Sequence, residues 1–258
     1  MSSGKVIIVT GASRGLGRAI CEHLCSSAGP FCSVRAVVGT ARSTEPLAAL
    51  AAQFPSVFTY SAGDINDEAF IDALVSETVK KYGRIDGIVH NAGVLGPLKS
   101  ISTAPVSEWQ DTINTNLIAP FVLSQKALPY LREANGRLIF ISSGASKGPC
   151  AAWSAYCVSK AALNMAAACF AAEEPSITSV SVRPGVINTD MQGRIRAEGR
   201  GEMTDTHYAK FVGMKESGQL LEPEVPGKVI ARMAIEIPSE FSGQYVDWQD
   251  ESFASYLN

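Results

Sequence analysis

One short stretch, SSGASKGPCAAWSAYCVSK from Ser142 to Lys160, holds the residues best suited to chemistry. Tyr156 is the only one of the 7 tyrosines with a lysine four positions on. On a helix that spacing is one turn, so the phenol of Tyr156 and the ammonium of Lys160 project from one face. A free tyrosine, with a pKa near 10, is a poor acid–base partner at neutral pH. A neighbouring ammonium stabilises phenolate and lowers that pKa, each unit being worth about 1.4 kcal/mol. Tuning of this kind is what general acid–base catalysis requires. Ser143, at the end of an apolar run, places a hydroxyl where it can donate to an oxygen gaining negative charge. Ser142 is its structural neighbour. Taken alone, the stretch fits a small-residue loop feeding a helix equally well.

A second candidate lies near the amino terminus, in TGASRGLGRAI. Gly11, Gly15 and Gly17 follow an apolar run and open a helical pattern. Glycines there allow a tight turn and close approach of backbone to a pyrophosphate. The helix start then offers free N–H groups and the positive end of the dipole. The spacing G-x-x-x-G-x-G is not the G-x-G-x-x-G fingerprint, but its place on the first βα unit favours a dinucleotide. An NAD site usually carries an acid about 20 residues beyond the glycines. From Ala36 to Ser43 there is none, and Arg42 stands in its place. Arg42, with Arg14 inside the glycine turn, suits a 2′-phosphate, so NADP(H) is the expected cofactor.

The rest of the chain must position these residues. Strands are expected over Val6–Thr10, Val34–Thr40, Val57–Ser61, Gly87–His90, Leu138–Ser142, Ser179–Arg183 and Gly243–Trp248. Helical patterns cover Gly15–Ser26, Pro46–Phe54, Glu68–Tyr82, Glu108–Leu131, Trp153–Glu173 and Pro226–Ile235. This alternation implies one α/β domain spanning 1–258, a Rossmann-like doubly wound parallel sheet of about seven strands with helices on both faces. Ser107 with Gln110 reads as a capping box. Glu173-Glu174-Pro175 should end the long helix. Gln192 to Gly218 is weakly patterned, a surface excursion or a substrate lid.

With 46% hydrophobic residues, 18% charged and net charge −3, the composition is globular and argues against nucleic acid as partner. Its 6 cysteines show no metal-ligand spacing and read as small buried hydrophobes in a reducing compartment. Three scattered histidines make a metal site improbable. No apolar run approaches membrane length, so a cytoplasmic protein with no membrane partner is expected.

Taken in order, TGASRGLG, Gly63-Asp64, Asn91-Ala92-Gly93, Asn116, Ser143, Tyr156–Lys160 and RPGVINT from Arg183 resemble the short-chain dehydrogenase/reductase family over nearly the whole chain. The resemblance implies an NADP-dependent oxidoreductase whose cofactor lies along Gly11, Ser13, Arg14, Gly15, Leu16 and Gly17. Arg42 would meet the 2′-phosphate and Asp64 with Ile65 the adenine. Asn91, Ala92 and Gly93 would close the floor, and Pro184, Gly185, Val186 and Thr189 would form the nicotinamide wall. It further implies that Tyr156 donates the proton in carbonyl reduction and that Ser143 steadies the oxygen. Lys160 would bind ribose hydroxyls, and Asn116 would position a water. His90 departs from the asparagine of many relatives and is expected to stabilise the sheet end.

EEP after the long helix, NTDMQ at Asn188–Gln192 and SGQYVDWQD are similar to the sepiapterin reductase and benzil reductase branch. Leu95, Gly96, Pro97, Ala145, Trp153, Val186 and Met191 suggest an apolar wall for an aromatic or vicinal dicarbonyl, without a cationic cluster. Ser143, Trp153, Met191 and Asp247 are the expected substrate contacts; Asp247 is either a pterin anchor or a solvated acid. The alternative to a small-molecule carbonyl reductase is a non-catalytic NADPH sensor, which has no need of a proton donor. The alanine-rich helix fits a homodimer or homotetramer, or a face buried within one copy.

Overall fold

Runs that are apolar on both sides become strands buried on both sides. The computed structural model describes residues 4–257. Seven strands, β1 (Lys5–Thr10), β2 (Val34–Ala41), β3 (Phe58–Ala62), β4 (Gly87–His90), β5 (Arg137–Ile141), β6 (Thr178–Arg183) and β7 (Tyr245–Asp247), form one sheet. They are ordered β3-β2-β1-β4-β5-β6-β7, and every pair is parallel. The order reverses between β1 and β4, which opens a crevice beyond their carboxyl ends.

The helices are α1 (Gly15–Leu24), α2 (Thr44–Gln53), α3 (Glu68–Tyr82), α4 (Val106–Ile113), α5 (Ala119–Ala134), α6 (Ser154–Glu173), α7 (Asp190–Glu198), α8 (Asp205–Glu216) and α9 (Glu224–Glu236). On one face Ile20, Leu24, Leu47, Leu50, Val229 and Ile230 from α1, α2 and α9 pack on Ile7, Val9 and Val37. On the other, Ile71, Leu74, Leu123, Leu131, Leu163 and Phe170 from α3, α5 and α6 pack on Ile8, Ile88, Leu138 and Phe140. Each such side chain contributes about 1.5–3 kcal/mol by leaving water. The Rossmann-like sheet with helices on both faces is as the alternation implied.

Several local expectations need correction. Ser107 is not a cap: α4 starts at Val106 behind Pro105, and no side chain caps it. Pro105 itself takes the extended entry backbone at that boundary (φ −62°, ψ 128°), leaving the serine in the first turn. The single pattern Glu108–Leu131 is interrupted by a π turn, Asn114–Ile118, that carries Asn116. Weakly patterned Gln192–Gly218 contains most of α7 and all of α8; α7 buries only Gln192 and Ile195, α8 buries no residue, and Met203 is buried in the turn between them. α6 is, by length and composition alone, long and apolar enough to cross a membrane. It packs on β5 and β6 instead, because its buried stripe of Tyr156, Leu163, Ala167 and Phe170 belongs to the core clusters. It does end before Glu174-Pro175.

The cysteines also depart from expectation. Only Cys21 and Cys25 are buried, Cys32 and Cys169 are exposed, and Cys150 and Cys157 are half-buried. His90 matches its structural reading: its Nε2 lies 2.8 Å from Ser124 Oγ and its ring stacks on Phe140 at 4.6 Å. Burial pushes its pKa down to about 3, so it stays neutral.

Candidate active site

The crevice at the strand reversal is a cleft of about 1140 Å³, room for a dinucleotide and a small second molecule. Its floor is tied by one side chain. Asn91 Nδ2 donates to the carbonyls of Thr10 (3.0 Å) and Gly11 (3.2 Å), while Thr10 Oγ1 accepts from the N–H groups of Asn91 and Ala92. A Cβ on Gly11 (φ +68°) would come within 2.8 Å of Asn91 Nδ2, and one on Gly17 would overlap the Gly11 carbonyl. Only glycine fits either place. No side chain caps α1, so its first N–H groups are free for an anion. Ser13, Arg14, Gly15 and Leu16 line this end, whereas Gly17 lies beneath it. Arg42, at the end of β2, and Asp64 with Ile65 line the far rim, where no carboxylate takes the place of Arg42. Asp64 Oδ1 accepts from Asn66 N (2.9 Å), fixing the turn after β3. Arg14 reaches across to Asp190 at 3.1 Å, an exposed pair of small energy. A cradle of free N–H groups with two arginines at its rim suits a nicotinamide dinucleotide.

At the middle of the cleft, β5 delivers Ser143 and α6 delivers Tyr156 and Lys160. Ser143 Oγ accepts from Ala145 N (3.1 Å), and Ser143 and Tyr156 line the cleft together. Lys160 Nζ donates to Ile141 O (2.7 Å) and lies 5.7 Å from the centre of the Tyr156 ring. Burial pushes Lys160 down to about 8 and Tyr156 up to about 12. The expectation that Lys160 lowers the phenol's pKa is therefore reversed here: desolvation of a ring that is 8% exposed outweighs it. Asn116 is fully buried. Its Oδ1 accepts from Val94 N (2.8 Å), and its Nδ2 donates to Val94 O (2.8 Å) and Ser159 Oγ (3.0 Å). So its side chain clamps the β4 loop to α6. Ser142, as expected of a structural neighbour, donates to Asn164 Oδ1 at 2.6 Å.

The remaining end is apolar. Trp153 stacks on Phe211 of α8 at 5.3 Å and meets the Tyr156 ring edge-on at 5.9 Å. Ala145, Trp153, Val186 and Met191 line the cleft, but Leu95, Gly96 and Pro97 do not. Leu95 lies below the surface in the same cluster, with Ile195 and Met203. Pro184, Gly185 and Thr189 form the opposite wall, where Gly185 (φ +82°) avoids Leu221 and Thr189 Cγ2 faces Gly15.

Three features escaped the sequence reading. Phe211 sits in the stretch with no clear pattern. Tyr245 donates to Ser143 O at 3.0 Å. Lys147, Arg183 and Lys210 also reach the lining, a cationic group that the apolar wall did not anticipate. Residues so far apart in the chain leave no local signal. Asp247 is not on the lining. Its Oδ2 pairs with Arg183 at 3.0 Å and its Oδ1 accepts from Gln249 N, so both oxygens are engaged.

Known proteins resemble this chain over most of its length. The short chain dehydrogenase family model matches residues 5–200. An uncharacterized oxidoreductase of Saccharomyces cerevisiae is 38% identical, the alignment covering 98% of this chain and 99% of that one. A benzil reductase ((S)-benzoin forming) of the same yeast is also 38% identical, over 96% and 97%. The crystal structure of the enzyme KRED1-Pglu is 42% identical, covers 94% of this chain and all of that one, and superposes with a TM-score of 0.90. A yeast structure described as a cytoplasmic protein of unknown function is 37% identical, with a TM-score of 0.83 over 99% and 100%. The family model over most of the chain, these identities and the shared fold show that the chain belongs to the short chain dehydrogenases, a family of oxidoreductases.

Proposed function

We propose that this oxidoreductase is an NADPH-dependent carbonyl reductase acting on an aromatic or vicinal dicarbonyl compound. One observation carries the reading: the Ser143 hydroxyl, the Tyr156 phenol and Lys160 converge between a phosphate cradle and an apolar end. When bound, the dinucleotide supplies hydride to the carbonyl carbon. Ser143 holds the carbonyl oxygen by a hydrogen bond, and Tyr156 gives that oxygen its proton. Lys160, held by Ile141 O, keeps a cation beside the phenol and meets the ribose hydroxyls. Asn116 positions the loop and helix around them and lies on the route by which the proton is replaced. Arg42 and Arg14 hold the 2′-phosphate, which favours NADPH over NADH.

The benzil reductase likeness and the apolar Trp153 wall support a flat diketone. A pterin anchored at Asp247 is less well supported, because Arg183 and Gln249 already occupy that carboxylate. α7 and α8 would act as the lid over the substrate. The half-exposed Ile118, Phe121 and Val158 and the more exposed Met165 suit a homo-oligomer contact. A cytoplasmic location is in keeping with six free cysteines and with the yeast neighbour.

The test is NADPH oxidation by the purified protein with a panel of ketones and diketones, alongside Arg42→Ala. Turnover of aryl diketones is expected; tight NADPH binding with no turnover across the panel would favour the sensor instead. Arg42→Ala should weaken NADPH by about 2 kcal/mol, one charged hydrogen bond, and leave NADH almost unchanged. Equal losses for both cofactors would remove the phosphate assignment.

A further inference from the structure

The column of Tyr156 and Lys160 on α6 has a third member. Asn164 follows Lys160 by four residues, so it projects from the same face one turn on. Lys160 grips the end of β5 at Ile141 O. Asn164 grips the two serines that bracket Ser143. Its Oδ1 accepts from Ser142 Oγ (2.6 Å), and its Nδ2 donates to Ser146 Oγ (2.9 Å). Ser146 Oγ in turn donates to Ser143 O at 2.7 Å. The carbonyl chemistry described above uses neither Asn164 nor Ser146.

The direction of this chain is set from its far end. A carbonyl oxygen only accepts, so the single hydroxyl proton of Ser146 goes to Ser143 O. In its contact with Asn164 the Ser146 oxygen can then only accept, and the donor is the amide NH2. The amide oxygen is left facing Ser142, whose hydroxyl donates to it.

The neighbours of Ser143 explain why it needs such a hold. Gly144 has no side chain to restrain the peptide that joins them, and Lys147, Gly148 and Pro149 beyond it are exposed. Three donors hold Ser143 O instead: Ser146 N (3.0 Å), Ser146 Oγ, and the Tyr245 hydroxyl (3.0 Å). With that peptide fixed, Ala145 N meets Ser143 Oγ at 3.1 Å. Ala145 N–H occupies a lone pair of the hydroxyl, which leaves the Ser143 proton for an oxygen in the cleft.

We propose that Asn164 is a positioning residue, orienting Ser143 through Ser146 so that its hydroxyl donates to the substrate's carbonyl oxygen. Neither Asn164 nor Ser146 lines the cleft, so both act through Ser143. The effect on rate rests on the carbonyl reductase reading; the hydrogen-bonded frame does not.

The test is Asn164→Asp, which keeps the shape of the side chain and removes its donor. A carboxylate accepts from both serines, so Ser146 turns its proton to it and away from Ser143 O. The kcat for an aryl diketone should fall roughly ten- to a hundredfold, the cost of a small misplacement at a reacting group, with KM for NADPH unchanged. Ser146→Ala adds no charge and should give a similar loss, and the double variant should be no worse than the worse single one. On a Ser143→Ala background Asn164→Asp should change little, because the hydroxyl that it orients is gone. Amide exchange at Ala145, read by NMR, should quicken about tenfold in both single variants, with Glu174 at the far end of α6 unaffected. Unchanged exchange at Ala145 overturns the frame. Unchanged kcat, a matching rise in KM for NADPH, or an equal loss on the Ser143→Ala background overturns the positioning role. If Asn164→Asp does not fold, Ser146→Ala decides by the same measures. Wild-type protein that turns over no carbonyl overturns the reductase reading, while exchange at Ala145 still decides the frame.

Discussion

Gly11, Gly15 and Gly17 at one end of the cleft and Trp153, Met191 and Phe211 at the other rest on the same sheet, yet they tolerate change in opposite ways. The glycine end works with backbone N–H groups, and its constraint is room: Gly11 and Gly17 have atoms of Asn91 and the turn itself where a Cβ would go. The other end works with side-chain area, assembled from the loop before α6, α7 and α8. Apolar packing of that kind accepts other residues of similar volume. A phosphate cradle is thus fixed by what cannot be added, and an apolar wall by how much area it presents. Ser143, Tyr156 and Lys160 stand between them and belong to neither.

The largest effect should come from that middle position. Tyr156→Phe keeps the ring against Trp153 and removes the proton donor. Turnover should drop by at least about 10²-fold with NADPH affinity retained, as read by steady-state rates and cofactor fluorescence. Retained turnover would assign the proton to another group.

At the glycine end, Gly17→Ala drives a Cβ into the Gly11 carbonyl and Asn91 Nδ2. It should destabilise the fold by about 1–3 kcal/mol in urea melts and weaken NADPH as well. An unaffected midpoint would mean that the turn can open, and the contrast between the ends would fail.

pH probes the middle more gently. Burial lowers Lys160 to about 8, so its ammonium is present below that pH and lost above it. Tyr156 remains protonated up to about 12. The kcat/KM for NADPH, which reports the free enzyme, should be flat below about 8 and then fall roughly tenfold per pH unit. A profile flat through pH 9 would show that Lys160's charge is not needed.

The smallest effect belongs to the apolar end. Phe211→Ala removes a stack worth about 0.5–1.5 kcal/mol. KM for an aryl diketone should rise roughly two- to tenfold, with NADPH affinity unchanged. A matching loss in cofactor affinity would mean that the two ends are coupled.

The same contrast explains what could be read in the sequence. Strands buried on both faces, and a turn that only glycine can make, write themselves into adjacent residues. The glycine turn, Arg42, Asn91 and the Tyr156–Lys160 spacing were therefore visible. Phe211, Tyr245 and Arg183 reach the cleft from different elements, so no local pattern marks them. α7 and α8 hid because each buries little. The pKa of Tyr156 was misjudged for a related reason: the spacing revealed its cationic neighbour but not the desolvation around the ring, which is the larger effect.

The π turn Asn114–Ile118 bears on how the gene can vary in length. A π turn carries one residue more than the α ladder needs. Deleting one there would let α4 and α5 run as a continuous α-helix with the residues downstream kept on their faces. Leu123, Ser124, Ala127 and Leu131 would stay on the sheet, and His90 would keep its partner Ser124. A one-residue deletion in the first α-helical turn of α5 has no such slack and would turn those same residues by about 100°. Length is therefore held less strictly at the π turn than in the α-helical turns on either side of it.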